Sequence, residues 1–183
     1  MTATIEGGWL SIAHVVESPN CDDRPQGSDI ELLVIHGISL PPGQFGGPWI
    51  EQFFTNNLNA NDHPYFVEVQ DLRVSAHLLI RRNGDLIQFV PLDKRAWHAG
   101  ESCFAGKQAC NDFSIGIELE GCDELPYEEA QYECLADVIK VITSEHPKIG
   151  VENIVGHNQI APGRKTDPGP AFDWQRLRAL LNQ

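Results

Sequence analysis

Two short apolar segments of the chain have the pattern of buried strands. ELLVIH, residues 31–36, is a nearly continuous apolar run, which is typical of a strand covered on both faces. It ends at His36 and gives way to GISLPPGQFGGP, whose glycines and prolines predict a loop. SIGIELEG, residues 114–121, alternates strictly, which predicts Ile115, Ile117 and Leu119 toward the core and Gly116, Glu118 and Glu120 away from it.

A third strand signal is a hairpin. AHLLIRR, residues 76–82, and DLIQFV, residues 85–90, are joined by Asn83-Gly84, a dipeptide typical of a two-residue turn between antiparallel strands. A turn of that length places Ile80 opposite Ile87. The sheet is therefore expected to contain at least one antiparallel pair.

Three other segments have helical signals. PWIEQFF, residues 48–54, predicts a helix with proline at its first position. YEEAQYECLADVIKVITSEH, residues 127–146, carries an apolar stripe and an acidic N-terminal end, and Pro147 is expected to end it. Asp173 is a suitable N-cap for a last helix, which is expected to bury Trp174, Leu177 and Leu181.

The predicted strands and helices interleave, with no internal repeat or linker that would divide the chain. A length of 183 residues suits one domain, and 42% hydrophobic with 21% charged residues is a globular composition. We therefore expect residues 1–183 to form a single α+β domain, a central mixed β-sheet flanked by helices, with polar groups at the strand ends.

Charge and cysteine usage narrow the possible partners and the compartment. A formal net charge of −13 argues against nucleic acid, because affinity for phosphate backbones comes from clustered Lys and Arg. It still permits an anionic small substrate in a local basic pocket. Residues 1–18 lack a secretory-signal pattern, and no stretch reaches the roughly 18 apolar residues of a membrane span. Five cysteines without C-x-x-C spacing indicate reduced thiols, so we expect a cytoplasmic protein without a membrane partner.

The candidate chemistry begins in GHNQIAPGRKTDPGPAFDW, residues 156–174, whose prolines and glycines predict an irregular loop. A catalytic zinc uses three protein ligands, usually His and carboxylate, and keeps one position for water. His36 at a strand end, with His157 and Asp167 in the loop, can supply two imidazoles and one carboxylate. The hypothesis is a Zn²⁺ site between strand ends and a C-terminal loop, where bound water has a pKa of roughly 7.

Two further residues suit hydrolysis at such a site. Glu118 lies on the polar face of its predicted strand next to Gly116, which leaves room for a substrate, so it is the candidate base. Lys165 lies two positions before Asp167 and is the candidate donor to a developing oxyanion.

Ordinary structural roles explain the same residues equally well on spacing alone. A lone histidine is more often hydrogen-bonded than a metal ligand, and no short H-x-x-x-H signature is present. Asp167 suits an Asx turn beside Pro and Gly, and Glu118 suits a solvated strand position. Trp97 suits the core, whereas His77 and His98 stay open between structural and functional roles. We expect only structural roles for His14, His63 and His146.

Several motifs together resemble a known family. They are LLVIHGISLPPGQFGGPWI, HPYF, LRVSAHLLIRRNGDLIQFVP, DKRAWHAG, CNDFSIGIELEG and APGRKTDPGPAFDW. In this order they resemble the cytoplasmic zinc amidases of the AmpD type, the 1,6-anhydro-N-acetylmuramyl-L-alanine amidases, from about Trp9 to Leu181. Peptidoglycan-recognition proteins share that fold more distantly.

The resemblance implies roles for individual residues. It implies zinc bound by His36, His157 and Asp167, a water deprotonated by Glu118, and an intermediate stabilised by Lys165. The implied reaction cleaves the amide between the lactyl group of muramic acid and L-alanine in muropeptides, during cell-wall recycling. Arg73 is the candidate for binding the carboxylates of the peptide, and Trp97 for lining the cleft.

The sequence departs from the family pattern at a few positions. Gly37 stands where Asn is expected, so one polar contact with the substrate is expected to be missing. Ala109 stands where some members have Arg, so an anchor for the distal carboxylate of the peptide is expected to be missing. Asn158, Gln159 and Gly163 also differ from the family's usual loop.

Two other functions fit the same residues. A non-catalytic module that binds peptidoglycan fragments would share the fold, although such modules usually lose a metal ligand or the base. An amidase that acts on intact cell wall would share the chemistry. The expected partner is a small muropeptide, bound by a monomer.

Overall fold

The computed structural model describes residues 3–183 and contains a six-stranded mixed sheet with helices on both faces. The strands in chain order are β1 Ile5–Glu6, β2 Trp9–Leu10, β3 His14–Val15, β4 Cys21–Asp23, β5 Leu32–Ile38, β6 Leu78–Ile80, β7 Leu86–Gln88, β8 Lys94–Ala96, β9 Cys103–Phe104, β10 Lys107–Gln108, β11 Ser114–Glu120 and β12 Ile154–Gly156. The α-helices are α1 Trp49–Phe54, α2 Phe66–Val69, α3 Glu129–Glu145, α4 His157–Ile160 and α5 Trp174–Leu181. Short 3₁₀ helices span Cys110–Asp112 and Val151–Asn153.

The central sheet has the strand order β12-β5-β11-β6-β7-β3. Strand β5 lies between β12 and β11 and is parallel to both, whereas β6 and β7 form the antiparallel pair. The three remaining sheets are two-stranded pairs. The predicted α+β class, a mixed sheet flanked by helices, is confirmed.

Helices α3 and α5 cover one face of the sheet. They pack on apolar side chains that alternate along β5 and β11, namely Leu33, Ile35, Ile115, Ile117 and Leu119. Asp173 caps α5 as predicted, since its carboxylate accepts a hydrogen bond of 2.9 Å from the backbone N–H of Arg176. Helix α3 ends at Glu145, before Pro147, also as predicted.

The opposite face of the sheet is covered as well, which the alternation in 114–121 did not predict. Glu118 and Glu120 do point away from Ile117, but they are only 9% and 2% exposed. Helices α1 and α2 pack on β6 and β7 there, and α4 packs near β5. The candidate base is therefore a buried carboxylate at the edge of a cleft rather than a solvated strand residue.

The predicted hairpin exists, but its predicted register was wrong. Ile80 pairs with Leu86, and Leu79 with Ile87. The backbone N–H of Arg81 donates to the carbonyl of Asp85, so three residues form the loop, 82–84. Gly84 has φ +88°, a conformation that glycine adopts without strain, which explains its place in the longer loop.

Two smaller differences concern helix boundaries. Pro48 is the N-cap of α1 rather than its first residue. The stretch predicted to be irregular after Gly156 begins with the single-turn helix α4. Throughout residues 3–183, no helix combines the length and the apolar character needed to cross a bilayer.

Candidate active site

His36 occupies the C-terminal half of β5 on the face that carries Val34 rather than Ile35. It is directly paired with Glu118 of the parallel strand β11, so both side chains project from the same face of the sheet. Only 1% of His36 is exposed. A buried strand therefore fixes the position of this imidazole.

His157 reaches the same place through the neighbouring strand. Gly156, the last residue of β12, pairs with Ile35, so the chain leaves the sheet beside His36 and enters α4 at His157. The backbone N–H of Asn158 then donates to the carbonyl of Asp167 over 3.0 Å. This bond brings the two ends of the loop together.

The side chains of His36, His157 and Asp167 converge in a triangle. Nδ1 of His36 lies 2.9 Å from Nδ1 of His157, and Oδ2 of Asp167 lies 3.3 Å and 3.0 Å from these two nitrogens. One imidazole nitrogen has a single hydrogen or lone pair, so it cannot satisfy two such neighbours at once. The separations suit three ligands of one ion with bonds of about 2.0–2.2 Å.

The charge states of two of these groups suit a cation. Burial lowers the pKa of His36 to about 4, so its ring is neutral. Burial would raise the pKa of Asp167, but its contacts with His157 and His36 hold that pKa well below the usual range. A neutral imidazole and an ionised carboxylate are the forms that bind metals.

Glu118 lies next to this triangle and is ready to accept a proton. Burial, with the charge of Asp167 added to it, raises the pKa of Glu118 well above its usual range. Its Oε2 is buried and has no hydrogen-bond partner among the described residues. An unpaired buried carboxylate oxygen is costly and is characteristic of a functional group.

A cleft of about 790 Å³ opens over these residues. His36, Glu118, His157 and Asp167 line it, as do Lys165 and Trp97. Lys165 is exposed, and its positive charge partly offsets the rise in the pKa of Glu118. The structure thus brings six of the seven candidate site residues to one cleft.

Arg73 is the seventh and is placed differently. It lies between the cleft residues Leu72 and Val74, but its own side chain is exposed and is not part of the lining. Its Nη1 donates to the backbone carbonyls of Gln70 and Leu72, over 3.1 Å and 3.3 Å.

The sequence left the roles of His77 and His98 open, and the structure places only His98 in contact with a residue of the triangle. His98 has its Nδ1 2.9 Å from Nε2 of His36, whereas Nε2 of His77 lies 3.0 Å from the carbonyl of Lys94, away from the triangle. Burial first, and then the neighbouring His36, lowers the pKa of His98 well below its usual range. The only feature of the sequence that set His98 apart was its position beside Trp97 in AWHAG.

Gly37 follows His36 at a point of close packing. A Cβ at this position would lie 2.4 Å from the hydroxyl of Tyr127, which donates to the carbonyl of Pro168 over 3.0 Å. The backbone N–H of Gly37 also points at Oδ2 of Asp167, over 3.4 Å. Glycine here lets Tyr127 support the turn that carries Asp167.

Comparison with known proteins identifies the family. The chain is 56% identical to the 1,6-anhydro-N-acetylmuramyl-L-alanine amidase AmpD of Citrobacter freundii over 97% of this chain and 94% of that protein. A crystal structure of an AmpD selenomethionine derivative superposes with a TM-score of 0.94 at 56% identity, covering 97% of this chain and 98% of that one.

A more distant relative is the N-acetylmuramyl-L-alanine amidase AmiD of E. coli. Its complex with the substrate anhydro-N-acetylmuramic acid-L-Ala-D-gamma-Glu-L-Lys superposes with a TM-score of 0.60 at 30% identity, over 98% of this chain and 65% of that one. The profile of the N-acetylmuramoyl-L-alanine amidase family matches residues 26–170. The resemblance to the AmpD type is thereby confirmed, and the chain belongs to the N-acetylmuramoyl-L-alanine amidase family.

Proposed function

We propose that the chain is a zinc-dependent amidase that hydrolyses the bond between the lactyl group of (1,6-anhydro-)N-acetylmuramic acid and L-alanine in muropeptides. The observation that carries this proposal is the convergence of two imidazoles and a carboxylate beside an unpaired buried carboxylate, in one open cleft. Similarity to AmpD along nearly the whole chain supports the choice of bond.

Nδ1 of His36, Nδ1 of His157 and Oδ2 of Asp167 would hold the metal ion. The three donor atoms lie within 4.8 Å of one another, and the mixed nitrogen and oxygen set is one that zinc accepts in catalytic sites. When bound, zinc supplies a Lewis acid that polarises a carbonyl and lowers the pKa of water to about 7.

Glu118 is the proposed general base. Burial raises the pKa of its carboxyl well above the usual range, which makes Glu118 a stronger proton acceptor than an exposed glutamate. The carboxylate takes a proton from the attacking water and later delivers it to the departing nitrogen of L-alanine. One residue thus serves both halves of the hydrolysis.

Lys165 is the proposed donor to the oxyanion that develops on the lactyl carbonyl. It lies on the loop between His157 and Asp167, and its side chain lines the cleft. A positive charge at that position stabilises negative charge in the transition state more than in the substrate, which raises the rate.

Arg73 and Trp97 are the proposed substrate-binding residues. Trp97 lines the cleft and offers an apolar face to the sugar or peptide, whereas Arg73 stands at the rim. A guanidinium suits the carboxylates of a stem peptide, and a short side-chain rotation would free it from the two carbonyls that it now contacts. The partner is a small muropeptide, as in the AmiD complex.

The proposed setting is cytoplasmic peptidoglycan recycling. All five cysteines are unpaired, which suits a reducing compartment, and the relatives named AmpD are 1,6-anhydro-N-acetylmuramyl-L-alanine amidases by name. We further propose that residues 1–183 act as one domain and as a monomer.

The decisive experiment is incubation of the purified protein with a defined anhydro-muropeptide, with and without a chelator, and identification of the products by mass. Release of the intact stem peptide that stops on chelation and returns with zinc is the expected result. Bound but uncleaved substrate would favour a sensing module. Faster turnover on purified sacculi than on the muropeptide would favour an enzyme of intact wall.

A further inference from the structure

His98 makes two polar contacts that none of the proposed catalytic steps uses. Its Nδ1 lies 2.9 Å from Nε2 of His36, and its Nε2 lies 3.1 Å from Oγ of Ser114. The rings of His36 and His98 meet edge to face, with centroids 5.0 Å apart. One imidazole therefore connects a proposed metal ligand with the first residue of β11.

The hydroxyl group of Ser114 sets the direction of the hydrogen bonds that link Ser114, His98 and His36. Oγ of Ser114 lies 2.6 Å from the carbonyl oxygen of Cys110. A carbonyl only accepts, so the hydroxyl hydrogen lies between these two oxygens. Oγ of Ser114 is therefore an acceptor toward His98, and Nε2 of His98 must carry a hydrogen.

The tautomer of His36 follows from the same rule. A neutral imidazole has one donor and one acceptor nitrogen, so Nδ1 of His98 accepts and Nε2 of His36 donates to it. Nδ1 of His36 is then left without a hydrogen, and its lone pair faces His157 and Asp167. This is the form that a metal ligand needs.

Ala99, the residue after His98, fixes the tautomer of His157 in a similar way. Nε2 of His157 lies 3.3 Å from the carbonyl oxygen of Ala99 and is therefore its donor, which leaves Nδ1 of His157 as an acceptor. Oδ1 of Asn111 accepts the backbone N–H groups of His98 and Ala99, over 3.1 Å and 2.8 Å. One side chain thus holds the dipeptide that contacts both histidines.

The sheet itself keeps the ring of His98 in place. A Cβ on Gly116 would lie 2.5 Å from Nδ1 of His98, so only glycine at this strand position leaves room for the imidazole. The ring is confined between Gly116, Ser114 and His36, which removes the freedom to flip its two nitrogens.

We propose that His98 is a positioning residue, through which Ser114 holds His36 in the tautomer whose Nδ1 is free to bind the metal ion. His98 itself contacts neither the proposed ion nor the reacting bond. The inference rests on the proposed metal site, but its tests use the metal-free protein and metal affinity, not amide hydrolysis. Outer-shell partners of this kind commonly change metal affinity by about 10–100-fold.

The first test reads the tautomers directly. Long-range ¹H–¹⁵N correlation spectra of the metal-free protein are expected to show hydrogen on Nε2 of His36 and on Nε2 of His98. Ser114→Ala removes one oxygen atom and is expected to give a mixture of tautomers at both rings. A wild-type spectrum with hydrogen on Nδ1 of His36, or an unchanged spectrum of Ser114→Ala, would overturn the proposal.

The second test measures the dissociation constant of Zn²⁺ by competition with a chelator. His98→Leu keeps bulk but cannot accept a hydrogen bond, so affinity is expected to fall about 10–100-fold. His98→Asn places an amide oxygen where Nδ1 was, and affinity is expected to return to within a few-fold of wild type. Equal affinity in the Leu and Asn variants would contradict the proposal.

Ser18→Ala is the matched control for Ser114→Ala. Ser18 is also a buried serine with two hydrogen bonds, to the carbonyl of Phe54 and from the N–H of Asn20, and it does not line the cleft. Its zinc affinity is expected to equal that of wild type. Circular dichroism of each variant checks folding. If His98→Leu does not fold, the Ser114→Ala and His98→Asn variants are sufficient to test the positioning role.

The outcomes also separate this inference from the proposed function. Wild-type protein that binds no zinc would remove the metal site, while the tautomers would still be readable by NMR. Zinc binding that is indifferent to Ser114 and His98 would remove the positioning role and leave the amidase proposal intact.

Discussion

Glu118 and His36 are directly paired across two parallel strands, β11 and β5. Their side chains lie side by side on the same face of the sheet, because paired residues on neighbouring strands point to the same side. The distance between the proposed base and the first proposed metal ligand is therefore set by backbone hydrogen bonds. Two groups held on strands in this way are positioned more precisely than groups held on loops.

Glu118→Gln is expected to abolish most hydrolysis while zinc binding is retained. The amide keeps the shape of the carboxylate but cannot take the proton, and general-base catalysis contributes about 10²–10⁴-fold. Turnover of an anhydro-muropeptide and zinc content in the same sample measure both effects. His157→Ala is the contrasting variant and is expected to lose zinc and activity together.

A rate near wild type in Glu118→Gln would show that another group accepts the proton. Loss of zinc from this variant would instead show that Glu118 belongs to the ligand set.

Lys165→Met is expected to lower kcat by about a hundredfold or more with zinc content unchanged. Methionine has similar length without the charge, so it removes the donor to the oxyanion, an interaction made mainly in the transition state. Lys165→Arg keeps the charge and is expected to recover part of the rate. Steady-state kinetics of both variants measure this, and a change confined to KM would assign Lys165 to substrate binding.

Glu120 is expected to matter for stability rather than for chemistry, although it shares a strand face with Glu118. Its carboxylate accepts the backbone N–H groups of Gly46 and Arg82, over 2.6 Å and 3.2 Å, and thus ties the loop after β5 to the hairpin. Glu120→Ala is expected to lower the free energy of unfolding by about 2 kcal/mol, because these two backbone donors lose their acceptor and Nη1 of Arg81 loses a weaker contact of 3.5 Å.

Urea denaturation measures that loss, and Glu120→Gln, which keeps one acceptor oxygen, is expected to lose less. Equal stability of Glu120→Ala and wild type would mean that water replaces the carboxylate without cost.

Gly37 and Tyr127 are expected to be energetically coupled. Gly37→Ala places a methyl group 2.4 Å from the Tyr127 hydroxyl and should lower the free energy of unfolding by about 1–3 kcal/mol. Tyr127→Phe removes the hydroxyl and its bond to Pro168, at about 1 kcal/mol. In Tyr127→Phe the added methyl group has space, so the double variant should lose less than the sum.

Thermal or urea unfolding of the four proteins gives the coupling free energy, which is expected to be about 1 kcal/mol. Strictly additive losses would show that the backbone at residue 37 moves away from Tyr127 instead.

The sequence was sufficient for the parts of the fold that depend on local patterns. The alternation in 114–121 predicted which side chains face α3 and α5, and Asp173 was recognised as an N-cap. The hairpin register was not predictable from Asn83-Gly84, because the same dipeptide suits turns of two and three residues and the packing of β6 and β7 decides between them.

The candidate site was predictable in its residues but not in its surroundings. Residue types alone suggested His36, His157 and Asp167, but their convergence depends on the order of strands β12, β5 and β11, which no local pattern encodes. The burial of Glu118 and the contact of His98 with His36 arise from the packing of loops on the sheet. Neither leaves a periodic signal in the sequence.

His36 and His157 are separated by 121 positions along the chain, and Asp167 follows ten positions later. A polypeptide still being translated holds only one of the three groups until residue 157 has been synthesised. Premature termination before residue 157 therefore yields a product that cannot assemble the proposed metal site, however well its earlier strands fold. Binding of an ion at this proposed site would therefore follow the synthesis of residue 167.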